Sequence, residues 1–436
     1  MKTEVNELLA LNIVSGPIIV AFFALAAALL IFLLARRPTR RWQVTSAVAV
    51  LAGVVLAVVI WFIVQATGSF GIPISPTVYA LLAATLAGVF VAVVNLWRSR
   101  WWRKVIAITA VPVFLVTGTL GINAEFGLNH TVGSLFGVVS EAPIALPFAA
   151  IHPRNSPKPG PLWQTWKPPA NMPAQGSIGT QVIPNTISGF NSRPAGIYLP
   201  PAALVPNAPR LPLVVMMMGQ PGSPDTVYTA QVLDKIAARN NGLAPIVIVA
   251  DQIGNPYQDP LCLNTAKYGN VKTFINQDVV NWALANLNII HDHKYWTIAG
   301  YSNGGACAIS YLAEFPKIWS NVFDISGEEY PGSENPRHVR SSIFNGDQAA
   351  YDAIKPENML ASRKYPDTFG VFTVGSNDAG YIPGVKRMAA AAAAAGMDAV
   401  YWESPNGGHV LPALTDGLNK GYELLYPRLG LSAGPP

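Results

Sequence analysis

Charge is what this sequence most lacks. Only 12% of its 436 residues are Asp, Glu, Lys or Arg, against about 25% in an ordinary soluble domain, while 51% are hydrophobic. That excludes a disordered or fibrous chain and speaks against a wholly soluble one. The deficit is concentrated, because residues 42–97 contain no charged side chain at all. A bilayer span needs about 20 apolar residues, so this run holds two spans and a turn. Cysteine is scarce too. Cys262 and Cys307 are the only two, too few for a disulfide scaffold but enough for one bridge in an oxidising compartment. No C-x-x-C or H-E-x-x-H spacing joins them to His291 and His293, and no Gly-rich loop of the phosphate-cradling kind is present. No metal and no cofactor are therefore expected. The two histidines, in IIHDHKYW, read as a polar turn. The net charge of +5 does not point to nucleic acid, because many of the basic residues flank apolar runs. The length leaves room for two or three domains.

Four apolar segments stand in the first part of the chain, at 17–35, 44–66, 78–96 and 105–122. None contains Asp, Glu, Lys, Arg or His, and none shows the polar stripe that buried helices of a soluble bundle carry. Each reads as a transmembrane helix, since a helix satisfies its own backbone polar groups in lipid. The first is too long, and too closely followed by others, to be a cleaved signal peptide. Arg36, Arg37, Arg40 and Arg41 separate the first two segments, and Arg98, Arg100, Arg103 and Lys104 the last two. The loop between the second and third, SFGIPISP, is uncharged. The positive-inside rule puts both basic loops in the cytoplasm, and the N-terminus and everything after the fourth span outside. Trp42, Trp97, Trp101 and Trp102 stand beside those loops as interface anchors. The absence of ionisable residues within the spans disfavours a pump or channel.

The texture then changes. Residues 125–180 hold nine prolines between positions 143 and 173, which reads as a semi-rigid spacer, with Trp163 and Trp166 available to pack on the next domain. The expected division is a four-span domain at 1–124, a Pro-rich linker at 125–180 and an extracytoplasmic α/β domain at 181–436. In the last part, short runs apolar on both faces (211–219, 244–251, 295–300, 321–326, 369–375 and 398–404) read as buried parallel strands. They alternate with helical patterns such as 277–287, 304–314 and 385–395. That alternation predicts a mostly parallel sheet with helices on both faces.

The chemistry lies here. Gly300-Tyr301-Ser302-Asn303-Gly304 follows the 295–300 strand and opens a helix, which is the setting of a G-x-S-x-G nucleophile elbow. The blander reading is a serine at a helix N-terminus. In hydrolases of this build the acid and the histidine follow the serine in that order. His409, in the glycine-rich loop NGGH after the last strand, is the candidate base, because His338 lies in the charged segment ENPRHVR. Asp378, in SND after the 369–375 strand, is the candidate acid, with Glu328 and Glu329 as rivals one strand earlier. Asp378 could instead simply cap the next helix. An oxyanion hole needs two main-chain N–H groups. One belongs to Asn303, after the nucleophile. The other falls to Gln220 in the loop MGQPG, because Pro221 has none to give.

The elbow GYSNGG, the loop MGQPG, the acid loop VGSND and the terminal GGH together resemble the "Putative esterase" family of α/β-hydrolases, which includes esterase D-like enzymes and the mycolyltransferases of actinobacteria. The resemblance covers about residues 190–425. It implies an α/β-hydrolase fold with catalytic roles on Ser302, Asp378 and His409, and four spans before such a domain look like membrane-bound members from Gram-positive bacteria. Two positions depart from the pattern. Met218 stands where many relatives have His, and an Asp stands where the mycolyltransferases use Glu, which favours hydrolysis over mycolyl transfer.

The expected function is a membrane-anchored serine esterase acting on ester-bearing envelope lipids or glycolipids, aminoacyl-lipid esters included. The bilayer and that ester are its expected partners. An acyltransferase and a non-catalytic scaffold with a vestigial hydrolase domain are the alternatives, and a lipid exporter is disfavoured by the uncharged spans. Cys262 follows the 244–251 strand and Cys307 lies on the helix opened by the elbow. Taking those two strands as neighbours, the cysteines are expected to form a bridge, worth on the order of 3–4 kcal/mol in the chain-entropy model. The alternative is two buried thiols.

Overall fold

The computed structural model describes residues 7–67, 75–127, 129–138, 141–146 and 160–434. The chain divides into two compact units, Met1–Val138 and Val139–Pro436.

The first unit is built on helices α1 (Pro17–Leu34), α2 (Arg40–Thr67), α3 (Pro76–Val94) and α4 (Trp101–Phe126). All four are long and apolar enough to cross a membrane. The helices α2 and α4 start several residues before the apolar segments that betrayed them, because Arg, Trp and Lys are good enough helix formers to carry the first turn. The α3 start is set by Ser75, whose hydroxyl accepts the Val78 N–H at 3.2 Å, with Pro76 in the first turn where its missing N–H costs nothing. Small residues let the helices approach closely. A Cβ on Gly53 of α2 would come within 2.5 Å of the Ala87 nitrogen on α3. Leu33, Ala49, Val91, Ala107 and Phe114 form the packed centre. The uncharged loop expected at 69–76 lies mostly outside the described residues.

The second unit holds an eight-stranded sheet. Its strands are β1 (Ser177–Gln181), β2 (Ala195–Leu199), β3 (Leu213–Met217), β4 (Ile246–Ala250), β5 (Trp296–Tyr301), β6 (Asn321–Ile325), β7 (Phe369–Gly375) and β8 (Asp398–Ser404). They lie in the order β1-β2-β4-β3-β5-β6-β7-β8. The principal helices are α5 (Val227–Arg239), α6 (residues 271–286, with a π-helical stretch at Phe274–Val279), α7 (Asn303–Glu314), α8 (Pro336–Ile343), α9 (Gln348–Ala353), α10 (Pro356–Ser362), α11 (Ile382–Ala394) and α12 (Leu411–Arg428). Every residue of β2 to β7 is buried, which is why these runs lack alternation. The fold is that of an α/β-hydrolase.

Five of the seven strand pairs are parallel, and the antiparallel pairs β1–β2 and β2–β4 make the mostly parallel sheet a mixed one at that edge. Two expectations need correction. The stretch 125–180 is not a spacer throughout. Helix α4 runs to Phe126, and Ser177–Gln181 is the edge strand β1. Trp166 also donates its indole N–H to the Asn241 carbonyl at 3.0 Å. Finally, β4 and β5 are not neighbours, since β3 runs between them. Sequence order does not reveal where a strand inserts.

Candidate active site

The strand β5 delivers Ser302 at its carboxyl end, where parallel sheets gather their functional groups. Ser302 sits at φ 55° and ψ −120°, a left-handed backbone that a non-glycine residue adopts only under constraint. The flanking glycines make this possible. A Cβ on Gly300 would strike the Gly304 carbonyl, and a Cβ on Gly304 the carbonyl of Met217 in β3. The serine is thereby lifted onto the tip of the turn, with α7 beginning at Asn303.

Two further loops converge on it. His409, between β8 and α12, has Nε2 at 2.8 Å from the Ser302 Oγ. Its Nδ1 is 2.7 Å from Oδ2 of Asp378, in the turn after β7. Asp378 is 1% exposed and His409 8%, so the pair is shielded from water. Carboxylates accept only, so Nδ1–H donates to Asp378, which leaves Nε2 to accept the serine proton. The ring is also clamped between aromatic faces. Its centroid lies 4.0 Å from that of Tyr381 and 5.4 Å from that of Tyr301. Asp378 also accepts the Tyr381 and Ile382 N–H groups on its main-chain carbonyl, so it starts α11 as well as orienting the imidazole.

The rival residues are placed elsewhere. Glu329 forms a salt bridge with Arg387, and His338 is exposed on α8. Glu328 is buried, and burial pushes its carboxyl well above the ordinary range; it contacts the Asn303 side chain rather than the imidazole. His293 lies in a short turn before β5, with Nδ1 at 3.0 Å from the Ile318 carbonyl.

The oxyanion residues come from two sides of the serine. Gly219 passes so close that a Cβ there would lie 3.1 Å from the Ser302 Cβ. Among the described residues, the main-chain N–H groups of Gln220 and Asn303 have no protein acceptor. Free donors beside a nucleophile are what a developing oxyanion needs. One residue that holds them was not foreseen. Gln252, 2% exposed after β4, donates from Nε2 to the Met218 carbonyl at 2.5 Å and to Oδ1 of Asn303 at 3.2 Å. It ties the two oxyanion loops together. Its only signal in the sequence is position, directly after the 244–251 strand. The Asn303 amide in turn donates to Asp259 at 3.1 Å, three residues before Cys262.

Cys262 and Cys307 are disulfide-bonded, with Cα atoms 5.1 Å apart. The strand adjacency expected of them fails, yet the loop after β4 is long enough to pass over the end of β3 and reach α7.

A Ser–His–Asp chain at the carboxyl edge of an α/β sheet defines a serine hydrolase. A family model described as "Putative esterase" matches residues 191–378, ending at Asp378. The chain is also similar to an uncharacterized protein of Corynebacterium glutamicum, with 28% identity over 427 residues, 94% of this chain and 95% of that one. That match therefore runs through both units. Among solved structures, an S-formylglutathione hydrolase from Agrobacterium tumefaciens is 14% identical, with 59% of this chain and 98% of that one covered and a TM-score of 0.48. The fluorophosphonate-binding serine hydrolase F of Staphylococcus aureus is 13% identical, with 57% and 98% covered and a TM-score of 0.46. By the matched family and the assembled site, the second unit is that of a carboxylic ester hydrolase.

Proposed function

We propose that this chain is a membrane-anchored serine esterase that cleaves acyl esters of envelope lipids or glycolipids, aminoacyl-lipid esters among them. Ser302 is the nucleophile, His409 the base, Asp378 the acid that orients it, and the Gln220 and Asn303 N–H groups the oxyanion donors. The four apolar helices cross the membrane with both arginine-rich loops on the cytoplasmic side, and the hydrolase unit lies outside. The observation that carries the catalytic reading is the hydrogen-bonded chain from Asp378 through His409 to Ser302, at 2.7 and 2.8 Å.

The geometry supports two half-reactions. Nε2 takes the serine proton as Oγ attacks the ester carbonyl, and Asp378 stabilises the imidazolium that forms. The oxyanion lies against the two N–H groups, which are worth about 3–4 kcal/mol each in comparable sites. Collapse expels the alcohol, which takes the proton from Nε2. Water then repeats the sequence. It gives a proton to Nε2, attacks the acyl-enzyme, and releases the acid as Oγ recovers the proton. The anchor supports the choice of substrate, since a site tethered to a bilayer searches two dimensions for lipid head groups.

A fluorophosphonate probe added to intact cells should label wild-type protein and fail to label Ser302→Ala. Lipid profiles of the Ser302→Ala strain should show one accumulating ester, which names the substrate. A folded wild-type domain that the probe leaves unlabelled would sink the catalytic reading. Protection of the hydrolase unit from protease in intact protoplasts would reverse the topology.

A further inference from the structure

The first unit contains no acidic residue from position 8 to position 124, yet it carries eight cationic side chains there. Six of them line a single cavity of about 580 Å³: Arg36 and Arg37 from the connection between α1 and α2, Arg41 from the first turn of α2, Arg98 and Arg100 from the connection between α3 and α4, and Arg103 from the first turn of α4. Glu125 is the next acid along the chain, at the other end of α4 and 22 residues, or about 33 Å, from Arg103. Among the described residues none of the six arginines is in a salt bridge. Guanidinium groups crowded together without a counter-charge repel one another, and an anion among them would relieve that repulsion.

The six divide their work. Two build the walls. Arg36 donates to the Arg98 carbonyl at 2.9 Å and lies over the Trp42 ring at 4.5 Å, which ties the two connections together. Arg103 donates to the Phe32, Leu33 and Ala35 carbonyls at 3.0 to 3.4 Å, so it closes the electronegative end of α1. Asn95 does the same for α3 through its amide and the Val91 carbonyl, at 2.8 Å. The negative helix ends are therefore spent. The other four arginines, Arg37, Arg41, Arg98 and Arg100, make no side-chain hydrogen bond among the described residues and are exposed. The starts of α2 and α4, with their free N–H groups and positive dipole ends, stand in the same two connections. Arg98 is held at φ 50°, a left-handed conformation that the Arg36 bond helps to fix. Trp42, Trp97 and Trp102 complete the lining, as indoles do at the level of lipid head groups.

We propose that this cavity is a binding site for the phosphodiester of an anionic membrane lipid. A phosphodiester matches guanidinium forks geometrically, and basic cavities between membrane helices hold such head groups. The acyl chains of the lipid lie along the apolar helix faces next to the Trp lining. The site lies in the first unit alone and takes a lipid that is not the ester cleaved by Ser302. It rests on the reading that α1 to α4 span a bilayer.

The test uses the full-length chain. Flotation with phosphatidylcholine vesicles first establishes insertion. Native mass spectrometry in nonionic detergent then counts retained lipid after addition of phosphatidylglycerol or phosphatidylcholine, with and without millimolar glycerol phosphate. Wild type should retain one phosphatidylglycerol with at least tenfold preference over phosphatidylcholine. The preference should persist in 0.5 M salt, where diffuse attraction to a basic surface is screened. The combined variant Arg37→Gln, Arg41→Gln, Arg100→Gln should lose it while floating and hydrolysing a soluble p-nitrophenyl ester at the wild-type rate, which excludes misfolding. Equal retention of the two lipids, or a preference untouched by the three substitutions, would overturn the site alone. Displacement by glycerol phosphate would assign the cavity to a soluble phosphate and overturn the lipid. A chain that does not float would overturn the spanning reading and the site with it.

Discussion

The two units treat polar groups in opposite ways. In the helical unit the middle of each helix is apolar, and between residues 8 and 124 charge is confined to two stretches, Arg36 to Arg41 and Arg98 to Lys104. Its buried polar side chains are few, and Thr117 is typical, bonding to main-chain carbonyls of the helices themselves, Val113 of its own helix at 2.7 Å and Phe22 of α1 at 3.3 Å. The sheet unit instead buries Asp251, Gln252, Asp324, Glu328 and Asp378 around the ends of its strands, with Asp259 half-buried beside them. A buried polar group is costly unless it is partnered. The helical unit avoids that cost, whereas the sheet unit accepts it where a partner or a proton makes the group useful. Polar burial should therefore matter to function in the second unit and hardly at all in the first.

The strongest way to break that contrast is at the acid. Asp378→Asn keeps the shape but offers the imidazole an amide in place of a carboxylate, so the tautomer that accepts the serine proton is no longer favoured. The turnover rate should fall on the order of 10⁴-fold with binding little changed, while the melting temperature moves by only a few degrees. A loss below tenfold would mean that Asp378 serves α11 rather than the histidine.

Next comes a matched pair. Gln252→Leu removes the clasp between the Met218 and Asn303 loops without touching the triad. Loosened oxyanion donors should lower kcat by about 10- to 100-fold, less than outright removal of a donor costs, with KM within twofold. Thr117→Val makes the same kind of change in the helical unit, where the hydroxyl is bonded mainly to its own turn at Val113 and at longer range to the Phe22 carbonyl of α1, and a bond of the first kind contributes little. Its effect on stability should stay below about 1 kcal/mol, and esterase activity should not change. Equal effects of the two substitutions would erase the contrast.

Some of this was legible from residues alone, and the reason differs between units. The four helices announce themselves because their apolar runs are long and uninterrupted. The elbow is legible because Gly300 and Gly304 are sterically compelled, and His409 because only two histidines follow Ser302. Strands β1 and β2 are five residues each, and β1 follows Gly176 and has Gly179 at its centre, so no periodicity marks them. Gln252 was hidden for another reason. Its role depends on β4 lying beside β3, and lateral strand order is set by packing across the whole sheet. For the same reason β4 was expected beside β5, although the Cys262–Cys307 bond itself forms.

That bond supplies the third test. It closes a separation of 45 residues, for which chain entropy gives about 3–4 kcal/mol. Cys262→Ser should lower the melting temperature of the sheet unit by roughly 10 °C and leave the Ser302 to His409 geometry in place. Asp259 stands three residues before Cys262 and holds the Asn303 amide, so kcat should also fall, though by less than in Gln252→Leu. Two titratable thiols in protein from its native compartment would remove the bond and weaken the outside placement.

The smallest expected effect concerns Asp324, at the end of β6 beside the elbow. Burial raises its carboxyl to about 7, and the single Gly327 N–H that it accepts, at 2.8 Å, opposes this only in part. Its other oxygen is buried without a partner. The unfolded chain releases this proton near pH 4, whereas the folded chain keeps it until about pH 7. Between those values the folded state binds more protons, so stability falls as pH rises, and above the folded value the loss is complete. Asp324→Asn places a permanently neutral group in the same position, with an oxygen still available to Gly327. The melting temperature of the variant minus that of wild type should therefore climb by several degrees between pH 4 and pH 8, whatever its starting offset. Asp259 and Glu328 are likewise pushed up by burial, but they titrate in both proteins and cancel in the difference. The helical unit buries no carboxylate between residues 8 and 124, so Thr117→Val against wild type should give a flat line over the same range. A flat line for Asp324→Asn as well would show that its carboxyl ionises freely, and that the ends of the strands are wetter than their burial implies.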